Sequence, residues 1–186
     1  MVSCFKGKFK VTSPRGNRVL NGKAEFHKGI DLVGLDDTTV YSVSDGTVRT
    51  AYQANGAGYY VVVTMADGRR VFYMHLKKDS FKVKTGDKVT VGQPIGIMGS
   101  TGASTGAHTH LELRPKGTTT ESLDIIDFTG LTNKVGTYTY NPEMTAYEAA
   151  CIVEDVCKLD KKTINWLWTY QYAEDLFKKI AKNLRR

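Results

Sequence analysis

Hydrophobic and polar positions alternate in short bursts through the first three quarters of the chain. Residues 59–65 (YYVVVTM) and 71–76 (VFYMHL) are β-rich runs on either side of Asp67-Gly68. An Asp-Gly pair tolerates the positive φ angles of a tight turn, so these runs predict an antiparallel hairpin. Residues 38–52 (TTVYSVSDGTVRTAY) hold two more β-rich runs around Asp45-Gly46, and 86–98 (GDKVTVGQPIGIM) alternates Val and Ile with Gly. Residues 108–113 (HTHLEL) alternate polar and apolar, the period of a strand with one buried face. Residues 1–140 are therefore expected to form a mainly β, antiparallel domain of short strands and tight turns.

The pattern changes near Asn141-Pro142, where proline disfavours helix at the residue before it. Over residues 145–157, Ala149, Ile152, Val153 and Val156 make an apolar helical stripe, with Thr145 and Glu148 as a candidate capping box. Asp160 is placed to cap a second helical stretch through Trp166 and Trp168. A third runs from Tyr172 to Leu184, with Leu176, Phe177 and Ile180 facing inward. Residues 141–186 are thus expected to form a small α-helical module. Its Trp166, Trp168, Tyr170 and Tyr172 either build the core that a small bundle needs or offer stacking surfaces for sugars.

Charge narrows the partners. The chain carries 26 Lys and Arg against 19 Asp and Glu, a net charge of +7. The excess lies in residues 1–141; beyond them basic and acidic residues nearly balance, so the tail has no nucleic-acid footprint. A basic surface attracts polyanions, and nucleic acid, anionic membrane and anionic cell wall all qualify, with plain solubility as the alternative reading. Three cysteines (Cys4, Cys151, Cys157) form no CxxC pair, which suggests neither a disulfide framework nor a thiolate metal site. No apolar run is long enough for a signal peptide or a membrane span. The chain is therefore expected to be made in the cytosol and to reach any outside target by release at lysis or in a phage particle. Oligomeric state is left open.

Four histidines carry the candidate chemistry: His27, His75, His108 and His110. In His108-Thr109-His110, a strand would point both imidazoles to one face, beside Glu112, and turn Thr109, Leu111 and Leu113 to the core. Two imidazoles so placed are either two metal ligands or one ligand beside one acid/base group. His27 and Asp31 in HKGID offer a nitrogen and an oxygen across Gly29. With one histidine of the pair they make three protein ligands, the usual number at a catalytic zinc that keeps its fourth position for water. Strict alternation along 71–76 sets Phe72 and Met74 on one face and Val71, Tyr73 and His75 on the other. Glu112 is expected to be solvated, with orientation of a histidine as its alternative role.

This combination resembles the lysostaphin-type metallopeptidases, also called the LytM or duplicated-hybrid-motif family. The resemblance is carried by HKGID (His27 to Asp31), FYMHL and GDKVTVGQPIGIMGSTGASTGAHTHLELR (Gly86 to Arg114), with TSPRGNR, including Arg18, ahead of them. It covers roughly residues 9–130. It implies a compact antiparallel β-sheet or barrel-sandwich-hybrid domain with a groove across one sheet. It further implies one zinc ion on His27, Asp31 and His110, and His75 and His108 as catalytic histidines. The implied activity is endopeptidase cleavage of a cross-bridge or stem-peptide bond in bacterial peptidoglycan, as in phage and prophage lysins. The Gly/Ser/Thr loop 99–106, with Ser104 and Thr105, is suited to binding an extended peptide through backbone groups, and Tyr73 is a further candidate for substrate contact. The alternative is a catalytically silent wall-binding or regulatory module of the same fold. The presence of all five expected site residues argues against it.

Overall fold

Short β-rich runs separated by turn-forming residues give twelve strands among the residues that the computed structural model describes: 1–20, 22–117, 120–140, 142, 151, 153–154, 157–167, 176–178 and 180. The strands are β1 (Gly7–Ser13), β2 (Gly16–Leu20), β3 (Lys23–His27), β4 (Ile30–Gly34), β5 (Thr39–Tyr41), β6 (Gly46–Gln53), β7 (Gly58–Thr64), β8 (Arg70–Leu76), β9 (Lys88–Val89), β10 (Pro94–Ile97), β11 (Thr109–Arg114) and β12 (Gly136–Tyr140). Two helices have both ends among the described residues, α1 (Ile125–Thr129) and α2 (Lys161–Leu167).

Eight strands make one antiparallel sheet in the order β12-β1-β4-β11-β8-β7-β6-β9. The fold is thus mainly β, as the alternation requires. The expected hairpin at Asp67-Gly68 is the β7–β8 pair. The two runs around Asp45-Gly46 do not pair with each other. β5 pairs with β10 in a small sheet, whereas β6 joins the large one between β7 and β9. Turn chemistry alone does not distinguish a hairpin from a strand that leaves one sheet for another.

One face of the large sheet is a closed apolar core. Val11, Ile30, Leu32, Val61, Val63, Val71, Tyr73, Leu111 and Leu113 point into it and meet Phe5, Val40, Ile95 and Ile125 from outside the sheet. Each fully buried aliphatic side chain there contributes roughly 1.5–3 kcal/mol. Along β11 the residues between these, His110, Glu112 and Arg114, stand on the opposite face. That face also carries a small apolar cluster of Ala57, Val62, Phe72 and Met74.

Asp160 caps α2 as expected: its carboxylate accepts from the Lys162 and Thr163 amides at 2.8 and 3.0 Å. Val153 and Phe177 are buried, and Ile180 is half-buried. Leu176 is 40% exposed rather than inward, because adjacent helical residues do not share a face and Phe177 takes the inward place. Thr145, Glu148, Ala149, Ile152, Val156, Trp168, Tyr170, Tyr172 and the side chain of Trp166 lie outside the described residues. Among the described residues, no helix is long and apolar enough to cross a membrane.

Candidate metal centre and active site

The centre of the large sheet carries the site. β4 and β11 are neighbours, and their register sets Asp31 directly opposite His110. His27 ends β3, and Lys28-Gly29 lead straight into β4. Gly29 is required where it stands: a Cβ there would lie 2.7 Å from His110 Nε2 and 2.4 Å from the Leu111 carbonyl oxygen. The absent side chain leaves room for the His110 ring.

Three ligand atoms converge. His27 Nε2 lies 3.0 Å from His110 Nδ1 and 3.3 Å from Asp31 Oδ1, and His110 Nδ1 lies 2.8 Å from Asp31 Oδ1. The tautomers follow from the other side of each ring. The His27 Nδ1–H donates to the Pro14 carbonyl at 2.8 Å, and His110 Nε2 faces the Glu112 carboxylate at 3.4 Å. With both rings neutral, two unprotonated imidazole nitrogens and a carboxylate oxygen therefore point at one another. Such a triangle is repulsive unless a cation or a proton sits inside it. A tetrahedral ion bonded at about 2.0–2.2 Å sets its ligands roughly 3.3–3.5 Å apart, so the three residues fit one metal ion after shifts of a few tenths of an ångström. His27, Asp31 and His110 are the metal-ligand cluster found among the described residues.

The electrostatics agree. Burial disfavours a charged His110, but the Asp31 and Glu112 carboxylates outweigh it and raise its pKa to about 8. Burial likewise opposes the charged Asp31, yet His110 and His27 hold its carboxyl well below the usual range. Arg18 steadies Asp31 from outside: its guanidinium lies 3.5 Å from Oδ2 while also binding Glu25 and donating to Ser13 Oγ. Oδ1 is thereby left to the histidines.

His75 and His108 stand beside this triangle, their rings 4.7 Å apart. His108 Nε2 is 3.7 Å from Asp31 Oδ1. Both rings spend Nδ1–H on a main-chain carbonyl, Thr101 for His75 and Gly106 for His108, each at 2.8 Å. Nε2 is what remains for chemistry. Burial is the largest influence on His75, and it pushes the imidazole below its ordinary pKa.

His75 reaches the site through a break in the pattern. Between Tyr59 and Val61 of β7 the facing strand β8 inserts one extra residue, and His75 sits at φ +64°. This bulge turns His75 away from the core and returns Leu76 to it, so strict alternation placed His75 on the wrong face. A left-handed non-glycine residue costs about 1–3 kcal/mol and persists where the surroundings hold it. Thr101 does so: besides taking the ring N–H, its hydroxyl donates to the Leu76 carbonyl and accepts from the Tyr59 amide. Gly102, at φ +73°, lets this loop close on the Gly56 and Gly58 backbone.

An open cleft of about 370 Å³ runs beside the histidines, lined among others by Arg18, Tyr60, Phe72, Met74, His75 and His110. Residues 25–122, just over half of the chain, match the profile of peptidase family M23. The chain belongs to peptidase family M23. This is a family of metallopeptidases, in keeping with the converging ligand set. Among relatives, the peptidoglycan DD-endopeptidase ShyA of Vibrio cholerae is 36% identical over 113 residues, which are 59% of this chain and 26% of that protein. The glycyl-glycine endopeptidase ALE-1 of Staphylococcus capitis is 43% identical over 88 residues, 46% of this chain and 24% of that protein. The catalytic domain of the antimicrobial peptidase lysostaphin from Staphylococcus simulans superimposes with a TM-score of 0.56 at 30% identity, covering 66% of this chain and 92% of that domain. The chain spans about a quarter of the length of the curated relatives it matches.

Two expectations for this M23 domain need correction. Tyr73 is fully buried on the core face, and its hydroxyl accepts from the Val43 amide at 2.7 Å. It does not face the cleft, because alternation continues unbroken to residue 73 and fails only at the bulge. Glu112 is 2% exposed rather than solvated, bound by Arg114 and facing His110. Its place two residues after His110 on a strand was the available signal, whereas nothing in the sequence marked the Pro14, Thr101 and Gly106 carbonyls as the acceptors that fix the imidazoles. The Ser104 hydroxyl donates to the Gly106 carbonyl at 2.7 Å and lies 3.3 Å from His108 Nδ1, so it organises the loop, while Thr105 is exposed.

Proposed function

We propose that this chain is a zinc-dependent endopeptidase that hydrolyses a cross-bridge or stem-peptide bond of bacterial peptidoglycan. The observation that carries the reading is the triangle of two bare imidazole nitrogens and one carboxylate oxygen with two further imidazoles beside it. Nitrogen and oxygen donors in this number suit zinc, and His27, Asp31 and His110 are the residues that hold the one ion. Bound zinc supplies Lewis acidity at the scissile carbonyl and makes water a nucleophile near neutral pH.

The chain's own residues do the rest. His75 and His108, tied through Nδ1 to the main chain, present Nε2 as proton acceptors, and once protonated they are donors to the departing amine or the developing oxyanion. Burial lowers the His75 pKa and so favours the neutral ring, which suits an acceptor. The cleft gives an extended peptide room beside the histidines, and loop 99–106 reaches its wall through Ala103; we read the adjoining Ser104 and Thr105 as further contacts for the peptide. Peptidoglycan as the substrate is supported by ShyA, and an endopeptidase reaction by both ShyA and ALE-1. We further read the enzyme as bacteriolytic and of the endolysin kind. On this reading its basic residues 1–140 work on an anionic wall, and residues 141–186 are the small helical module expected from the sequence pattern.

Purified peptidoglycan digested with the chain, and the fragments weighed by mass spectrometry, tests this directly. The expected result is release of peptide fragments that chelation stops and zinc restores. Intact fragments in the presence of zinc sink the proposal.

A further inference from the structure

We propose that Glu112 and Arg114 are a positioning pair that acts through His110 and sets the affinity of the metal centre; this rests on the zinc reading above. Residues 110, 112 and 114 share one face of β11 because strand side chains repeat every second residue. Glu112 Oε2 is 3.4 Å from His110 Nε2, on the far side of the ring from the ligand atom Nδ1. Arg114 grips both carboxylate oxygens, Nε to Oε1 at 2.9 Å and Nη2 to Oε2 at 2.8 Å. The guanidinium in turn lies 4.1 Å over the ring of Phe72, which the β8–β11 register sets directly opposite Glu112.

Each link has a physical consequence. A carboxylate facing Nε2 keeps the proton there and the lone pair on Nδ1, so His110 is a ligand without rearranging. The negative charge makes the imidazole a stronger donor to a cation. Burying an uncompensated carboxylate is costly. The two-pronged Arg114 contact offsets that and fixes the carboxylate plane, and Phe72 holds the arginine by stacking. Glu112 and Arg114 also line the cleft, but Glu112 is only 2% exposed, so its route to the chemistry is through His110.

Zinc competition against a chromophoric chelator, performed on the full chain, reads the effect. Glu112→Ala is expected to weaken zinc binding by about 10- to 100-fold. Glu112→Gln still accepts from Nε2–H but carries no charge, so its loss is smaller. Arg114→Lys keeps the charge without the fork, and it also loses less than Glu112→Ala. In ¹⁵N-histidine NMR spectra of the metal-free chain at alkaline pH, where the ring is neutral, His110 stays in the Nε2–H form in Glu112→Gln and becomes mixed in Glu112→Ala. The pH profile of kcat keeps its shape in Glu112→Gln, whereas loss of a group that exchanges a proton in the reaction would remove one limb. Wild-type zinc affinity in a folded Glu112→Ala overturns the inference. If that variant does not fold, Glu112→Gln decides, a drop supporting the inference and an unchanged affinity overturning it. A wild-type chain that takes up no zinc overturns the proposed function together with this inference.

Discussion

The two groups of histidines are held in place by different kinds of backbone. Asp31 and His110 stand on regular strands whose ladder register brings them face to face, and His27 closes the triangle from the end of β3. His75 and His108 stand on irregular backbone, one at a left-handed bulge and the other where a glycine-rich loop meets β11. The ligands thus rely on the sheet, which the apolar core holds rigid from behind. The acid/base pair relies on carbonyls of Thr101 and Gly106, in a loop that crosses from one histidine to the other. One expects metal binding to be robust to changes in loop 99–106, and proton transfer to be sensitive to them.

The sharpest way to break this comparison is to remove a ladder residue. Asp31→Ala or His110→Ala is expected to abolish zinc uptake and, with it, all peptidoglycan cleavage, measured by metal analysis and fragment release. Zinc retained at wild-type stoichiometry in either variant would mean that the triangle is not the metal site. Next in size come His75→Ala and His108→Ala, each expected to lower kcat by about 10²- to 10⁴-fold while zinc content stays intact. If either lost the metal, the division between ladder and loop would fail.

Acidity tests the ladder group alone. The His110 pKa of about 8 in the metal-free site means that a proton occupies the triangle below that pH and must leave when zinc enters. Apparent zinc affinity is expected to fall by about tenfold for each pH unit below 8, from release of one proton. The sign for stability of the metal-free chain is opposite. A raised histidine contributes below its unfolded value of about 6.5 and loses that contribution as pH rises through about 8. Thermal melts across that window, with and without zinc, check both signs; a flat response in the metal-free chain would refute the assignment. The smallest effect on catalysis is expected from Tyr73→Phe. It leaves the Val43 amide without its buried acceptor and costs about 1–3 kcal/mol of stability. Its kcat and KM stay at wild-type values, since Tyr73 lies behind the sheet. A raised KM would return Tyr73 to the substrate.

Alternation in HTHLEL was enough to set His108, His110 and Glu112 on one face and Thr109, Leu111 and Leu113 in the core, because strand periodicity is a local property. The Asp67-Gly68 hairpin was legible for the same reason. The spacing of His27 and Asp31 around Gly29 supplied a donor set without its geometry. Only the register of β4 against β11 brought residue 31 to residue 110, and register between strands nearly eighty residues apart depends on the whole sheet. The bulge that turns His75 out of the core, the burial of Glu112 beneath Arg114, and the three carbonyls that fix imidazole tautomers also belong to the tertiary structure. The sequence by itself determined which side chains are available and which face of its own strand each takes where the strand is regular. Where the backbone is irregular, or where a main-chain carbonyl does the positioning, no side-chain pattern records it, and packing of distant segments made the decision.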